Sequence, residues 1–261
     1  MKRQKTLVAV ISVVLFLAAL LLGANTVFSV SRIEIAYGVS SAQAQKDSLA
    51  LQHSLEERYV GENIFFVKDE EVISAFDGYP YLSVTGFEKK YPDRLVLSVE
   101  EKPEIYAAAV EENGGTVYYM LSADGDILRK AQENVNNVDG GENFLLEGLT
   151  YSAGNGFASD ENFELVLSVC KQLDAMAGGV RTCLSSLQLE VGAVSTEMIV
   201  QTLEGVTLQI GNPATLTEEK ITAGMEMYLS LDAQSKLIGY ISVRDNRVDG
   251  GIITAYSRTG S

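Results

Sequence analysis

Tryptophan is absent from this chain, histidine occurs once and cysteine twice in 261 residues. Each scarcity closes a route. A structural zinc site takes four Cys or His ligands, more than the chain holds of both together. The single histidine, His53, lies in a polar stretch and has no Ser or Cys partner in a recognisable motif, so nucleophilic catalysis has no evident base. Basic residues are short as well: 20 Lys and Arg stand against 35 Asp and Glu, a formal charge of −15. Nucleic-acid binding depends on cations clustered at phosphates, which excludes that partner class. Apolar residues make up 46%, close to the globular norm, so wholesale disorder is excluded too. At about 150 residues per domain, the length fits one or two domains.

What is present is unevenly distributed. Residues 1–5 carry Lys2, Arg3 and Lys5 and no acid, and the eighteen residues from Leu7 to Ala24 carry no charge at all. A run of this length predicts a membrane-spanning helix over 7–26, and the bases ahead of it predict a cytoplasmic segment over 1–6. A cleaved signal peptide shares the basic start. Its apolar core is typically about 7–15 residues, however, and it ends in a small-residue site of a kind missing after Leu22. The expectation is a single-pass membrane protein with its bulk outside the cytoplasm. Setting aside the three N-terminal bases leaves 17 basic against 35 acidic residues there, a charge of −18. So acidic a part is repelled by anionic headgroups, and the charge reads as solubility.

Beyond the apolar run, periodicity predicts the elements. Val30, Ile33 and Ile35 read as a strand. Leu51, Leu55 and Tyr59 share one helical face. Asp69 is a plausible N-cap for a second helix carrying Val72, Ala75 and Phe76. Tyr81 to Lys90 and Leu95 to Glu101 flank Tyr91-Pro92-Asp93-Arg94, a turn in which Pro presets φ and Asp tolerates the corner. The order is strand, helix, helix, hairpin.

Farther on, Asp124-Gly125 is a hairpin turn between Tyr118-Tyr119-Met120-Leu121 and Ile127-Leu128. A helix from about Asp160 buries Phe163, Val166, Leu167, Cys170 and Leu173. Leu187, Leu189 and Val191 alternate as a strand, as do Val206, Leu208 and Ile210. Thr215 and Glu218 read as a capping box opening a helix with Ile221, Met225 and Leu229.

Several short motifs in this order resemble the FtsQ/DivIB family of cell division proteins. They are Gly61-Glu62-Asn63-Ile64-Phe65, Tyr79-Pro80-Tyr81-Leu82-Ser83-Val84, Tyr91-Pro92-Asp93-Arg94-Leu95 and Leu97-Ser98-Val99-Glu100-Glu101-Lys102-Pro103. Lys220 matches a lysine common in that family, while Ser242 stands where the family usually carries Asp. The resemblance implies an α+β fold: a single N-terminal transmembrane helix, a POTRA domain (β-α-α-β-β) over 27–102, a β-rich α+β domain over 103–250, and a C-terminal strand and tail over 251–261. It implies a non-enzymatic divisome scaffold at the cell membrane and division septum that helps control septal peptidoglycan synthesis. Its partners would be FtsL and a DivIC/FtsB-like protein, both bitopic, with other divisome components and no nucleic acid. By the same resemblance, partner binding falls to the C-terminal strands, at Tyr240, Ile241, Val243, Arg244, Ile252, Ile253 and Tyr256. For Ile241 and Val243, filling the sheet core fits equally well.

No catalytic, cofactor or metal residue is assigned. Asp124-Gly125-Asp126 lacks the spaced oxygen ligands of a calcium loop. Gly154 and Gly156 lack the rest of a nucleotide-binding motif. Glu100-Glu101 and Glu111-Glu112 are strand neighbours that point to opposite faces. A Cys170–Cys183 disulfide and a small buried thiol at Cys170 both fit the pattern. The competing functional reading is a membrane-anchored, extracytoplasmic module that binds cell-wall material without a division role.

Overall fold

The computed structural model describes residues 11–16, 23, 25–246 and 248–258. The chain divides into two compact units, 1–102 and 103–261. The first unit runs β1 (Arg32–Gly38), α1 (Ala42–Tyr59), α2 (Asp69–Ser74), β2 (Leu82–Lys90) and β3 (Arg94–Glu101). β3 is central, with β1 parallel on one side and β2 antiparallel on the other. Ser41 caps α1, its Oγ accepting the Ala44 N–H at 3.1 Å. Leu51, Leu55 and Tyr59 form the buried face of that helix, as their four-residue spacing requires. Glu101 Oε2 accepts the main-chain N–H groups of Ser40 at 2.6 Å and Ser41 at 3.0 Å. A carboxylate at the end of β3 thus sits against the positive end of α1.

Asp69 does not cap α2. Lys68 holds that position, and Asp69, Glu70 and Glu71 fill the first turn, where the helix dipole favours negative charge. Phe28, Phe65 and Tyr91 form a chain of rings with centroids 4.9 and 5.1 Å apart.

The membrane-spanning helix expected over 7–26 is a correction. Among the described residues, no helix is long and apolar enough to cross a membrane. A bilayer core takes about 20 consecutive helical residues, whereas the described helical pieces in this stretch are 11–16 and 25–27, with Gly23 alone between them. Residues 1–10, 17–22 and 24 lie outside the described residues. The single-pass localisation loses its support, as does the side of a membrane assigned to the rest of the chain.

The second unit runs β4 (Tyr106–Glu112), β5 (Gly115–Leu121), β6 (Ile127–Ala131), β7 (Phe144–Glu147), α3 (Phe163–Ala177), β8 (Leu184–Val191), β9 (Thr196–Thr202), β10 (Val206–Gly211), α4 (Thr217–Ser230), β11 (Gly239–Asp245) and β12 (Ile252–Ser257). Among the described residues these strands make one nine-stranded sheet, ordered β12-β11-β10-β9-β8-β7-β4-β5-β6. β7 and β8 are parallel, as are β10 and β11. Parallel neighbours need a crossover connection, and α3 and α4 supply the two. The fold is α+β with a large sheet.

The helices share one core with the inward-facing strand residues, among them Leu187, Val200, Leu208, Ile241 and Val243 against Val166, Cys170, Ile221 and Met225. α3 starts at Phe163 rather than at Asp160, whose side chain accepts the Thr150 and Asn162 N–H groups. Gly178 ends it in the left-handed conformation.

The Asn/Gly-rich stretch after β6 is organised by an ion pair between buried Glu104 and half-buried Arg129. Arg129 Nε and Nη2 donate to the two carboxylate oxygens of Glu104 at 2.7 and 3.1 Å. Arg129 also donates to Val135 O, and Asn136 Nδ2 to Glu104 O. Such bidentate pairing gives the segment a fixed geometry that its composition alone does not. Both cysteines are free, Cys170 buried in the core and Cys183 half-buried.

Two outcomes follow. Gly148 has φ +83°, and a Cβ there would lie 2.1 Å from Leu189 O. Gly148→Ala should therefore cost more than about 2 kcal/mol in urea unfolding. Burial pushes the Cys170 thiol well above its ordinary pKa. Iodoacetamide should label at most one thiol in the native protein, Cys183, and two after denaturation, as read by mass spectrometry.

Candidate functional site

The candidate site is the end of the sheet formed by β11 and β12. Four polar contacts made by one buried lysine build it. Lys220 lies on the face of α4 that also carries Ile221, Gly224, Met225 and Tyr228, and its side chain is 0% exposed. Its Nζ donates to Gly211 O at 2.8 Å, Asn212 O at 2.9 Å and Thr215 Oγ1 at 3.0 Å, and pairs with Asp245 Oδ1 at 2.7 Å. Those four groups come from the end of β10, the loop before α4 and the last residue of β11. Gly224, one turn on, lets α4 approach Val243 and Leu208 closely.

The capping box expected at Thr215 and Glu218 does not form. α4 starts at Thr217 after Leu216, which holds φ +48° without a side-chain cap. Thr215 is drawn instead to Lys220 and Asp245. The Lys220 hydrogen bond is the main influence holding the Asp245 carboxyl below the usual carboxylate range, helped by Asn212. Sequence reasoning had Lys220 but missed Asp245 as its partner. The available signal was the helical phase, which puts Lys220 inside and so demands an acceptor.

Beyond Asp245 the chain turns through Asn246 to Gly251 into β12, which pairs antiparallel with β11 from Asp245↔Ile252 to Tyr240↔Ser257. No strand among the described residues lies beyond β12. Period-two alternation splits the seven residues assigned to partner binding. Ile241 and Val243 are fully buried on the helix side, and Ile252 and Tyr256 pack on the same core. Tyr240, Arg244 and Ile253 face the opposite side. Ile253 is 52% exposed, and Arg244 pairs with Glu197 at 2.9 Å. The Tyr256 hydroxyl lies 2.9 Å from both Ser235 O and Ile238 O. Its ring occupies the space beside Gly239, where a Cβ would come within 2.5 Å. Tyr256 therefore seats the strand, and Ile253 is its outward apolar residue.

The remaining candidates stay apart. His53 is exposed and pairs with Glu57 at 3.1 Å. Asp124-Gly125 forms a hairpin turn, with the Gly125 N–H donating to Ser122 O. Among the described residues, no group of three or more His, Cys, Asp or Glu is placed to hold a metal ion.

The residues thus assemble an α+β protein whose large sheet ends, among the described residues, at β12, a strand paired on one side with β11. No family model matches the chain. Among curated proteins it is similar to "Cell division protein DivIB" of Clostridium botulinum (strain Hall / ATCC 3502 / NCTC 13319 / Type A), at 24% identity over 136 residues. That alignment covers 51% of this chain and 49% of the relative. The likeness therefore spans about half of each protein, and it is a distant one to a cell division protein.

The buried lysine sets a stability test. Lys220→Met keeps the stem but leaves Gly211 O and Asn212 O without their donor, and should cost about 3 kcal/mol in chemical denaturation. A carboxyl whose folded pKa is depressed stabilises above its ordinary range, and that contribution is lost as pH falls through the folded value. Stability should accordingly decline below about pH 4. Asp245→Asn should be less stable at pH 7 and show a shallower acid limb.

Proposed function

We propose that this chain acts in cell division as a non-catalytic binding protein that takes an extended partner segment along the outer edge of β12. The distant likeness to DivIB supports the division role. The observation that carries the binding mode is a difference between the two edges of the sheet. Natural sheets guard their edges with charge, because unpaired N–H and C=O groups invite another strand. β6, the edge at one end, contains Arg129 and Lys130. β12, at the other, reads Ile-Ile-Thr-Ala-Tyr-Ser and contains no charge and no proline. An unguarded edge beside an exposed Ile253 supports strand addition, in which main-chain hydrogen bonds give affinity and alternate side chains give specificity.

The proposed occupants are segments of FtsL and of a DivIC or FtsB-like protein, the partners the family resemblance implies. In this role the chain helps control septal wall synthesis by holding partners, and Tyr240, Arg244, Ile252, Ile253 and Tyr256 belong to or support the docking edge. Ile241 and Val243 serve it from beneath, as core.

The test is Ile253→Lys, which places a charge on the outward face and leaves the core untouched. It should weaken capture of purified FtsL and DivIC segments at least tenfold with little change in thermal midpoint, and a fluorescent fusion should lose its midcell enrichment. Undiminished capture by the folded variant would overturn the assignment of the edge.

A further inference from the structure

The helices of the second unit cover one face of the sheet. Over β8–β12 the other face has a composition that the partner-strand reading does not use. Register places Gln188, Ile199, Gln209, Ser242 and Ala255 in one row across the five strands. Gln201, Thr207 and Tyr240 lie in the next row. None of these side chains is charged, in a chain of formal charge −15. Charge stands at the margins: Glu147 on β7 lies in register beside Gln188, and the row toward the β11–β12 turn holds Glu190, Glu197 and Arg244, the last two paired with each other.

The amides of Gln188 and Gln209 have no hydrogen-bond partner among the described residues, although each offers donors and an acceptor. Near the ends of β8 and β9 lies a cavity of about 310 Å³ lined by Glu142, Asn143, Phe144, Arg181, Ser185 and Leu203, among others. Ser185 donates to Gln201 O, which links the cavity to the second row. The Arg181 guanidinium there is already paired with Asp139.

These features choose among occupants. A strongly charged partner finds no opposite charge on the two rows. An apolar helix would bury the free amides without partners, which is unfavourable for each group left unsatisfied. Rows of amides and hydroxyls repeat from strand to strand at about 4.8 Å, close to the length of one pyranose unit. Half-buried Tyr240 adds a ring against which a sugar C–H face packs. We propose that this face and its terminal cavity bind an uncharged glycan chain lying across the strands.

The experiment titrates cellohexaose and chitohexaose into the full, isotopically labelled chain. The side-chain amide signals of Gln188 and Gln209 should shift with at least one of the two sugars. Gln188→Glu/Gln209→Glu should weaken binding at least tenfold, while Gln234→Glu, in an exposed turn, leaves it unchanged. No shift with either sugar at millimolar concentration, or equal affinity in the double variant, overturns the proposal. Self-association of the wild type that disappears in the double variant would assign the face to a second copy and overturn it as well. Mapping on the wild type keeps the test decisive should the double variant fold poorly. Ile253→Lys should leave sugar binding intact, so the failure of either reading is distinguishable from the failure of the other.

Discussion

The end of the sheet that carries β12 depends on one ammonium group held away from water. An isolated buried charge is expensive, so Lys220 is tolerated only because carbonyls, a hydroxyl and a carboxylate converge on it. That requirement fixes geometry. Gly211 O and Asn212 O set where β10 ends, Thr215 sets the loop that precedes α4, and Asp245 sets where β11 stops and the final turn begins. β12 follows from that placement, since its pairing register starts at Asp245. A hydrophobic residue at 220 would fill the same volume without specifying any of these positions.

The same end of the sheet combines two opposite treatments of polar groups. On the helix side every buried polar atom of the lysine cluster has a partner, which makes the cluster a rigid support. By contrast, β12 has a strand neighbour on one side only among the described residues, and on the uncovered face the amides of Gln188 and Gln209 carry no hydrogen bond there. A rigid base under unsatisfied groups is the arrangement binding surfaces use, because ordering costs are met on folding rather than on association. The far edge, with Arg129 and Lys130 on β6, is treated differently: Arg129 is drawn inward by Glu104, and Lys130 sits against Glu112.

Much of the fold was legible because burial repeats with the period of the backbone. Leu51, Leu55 and Tyr59 announced α1. Phe163 through Leu173 announced α3, and the alternation at Leu208 and Ile210 announced β10. Helix starts were less legible, since caps depend on local φ and ψ that composition does not dictate. Leu216 took the cap position ahead of α4, and Thr215 answered the lysine instead. The apolar run near the N-terminus misled most: its length met the requirement of a bilayer, yet the described residues contain no helix able to cross one. Within the candidate site, sequence left Ile241 and Val243 open between the sheet core and the docking edge, and only the pairing register put them in the core and Ile253 on the opposite face.

The sequence by itself determined the α+β character and the order of those elements whose burial repeats regularly, since these rest on residue types and on spacing along one chain. Only the tertiary structure decided that Lys220 is answered by Asp245, that β12 ends the sheet without a charged guard, and that the glutamines of three strands share an open face. Those facts are relations between residues far apart in sequence. Pairing register and helix placement create them, and no local pattern encodes either.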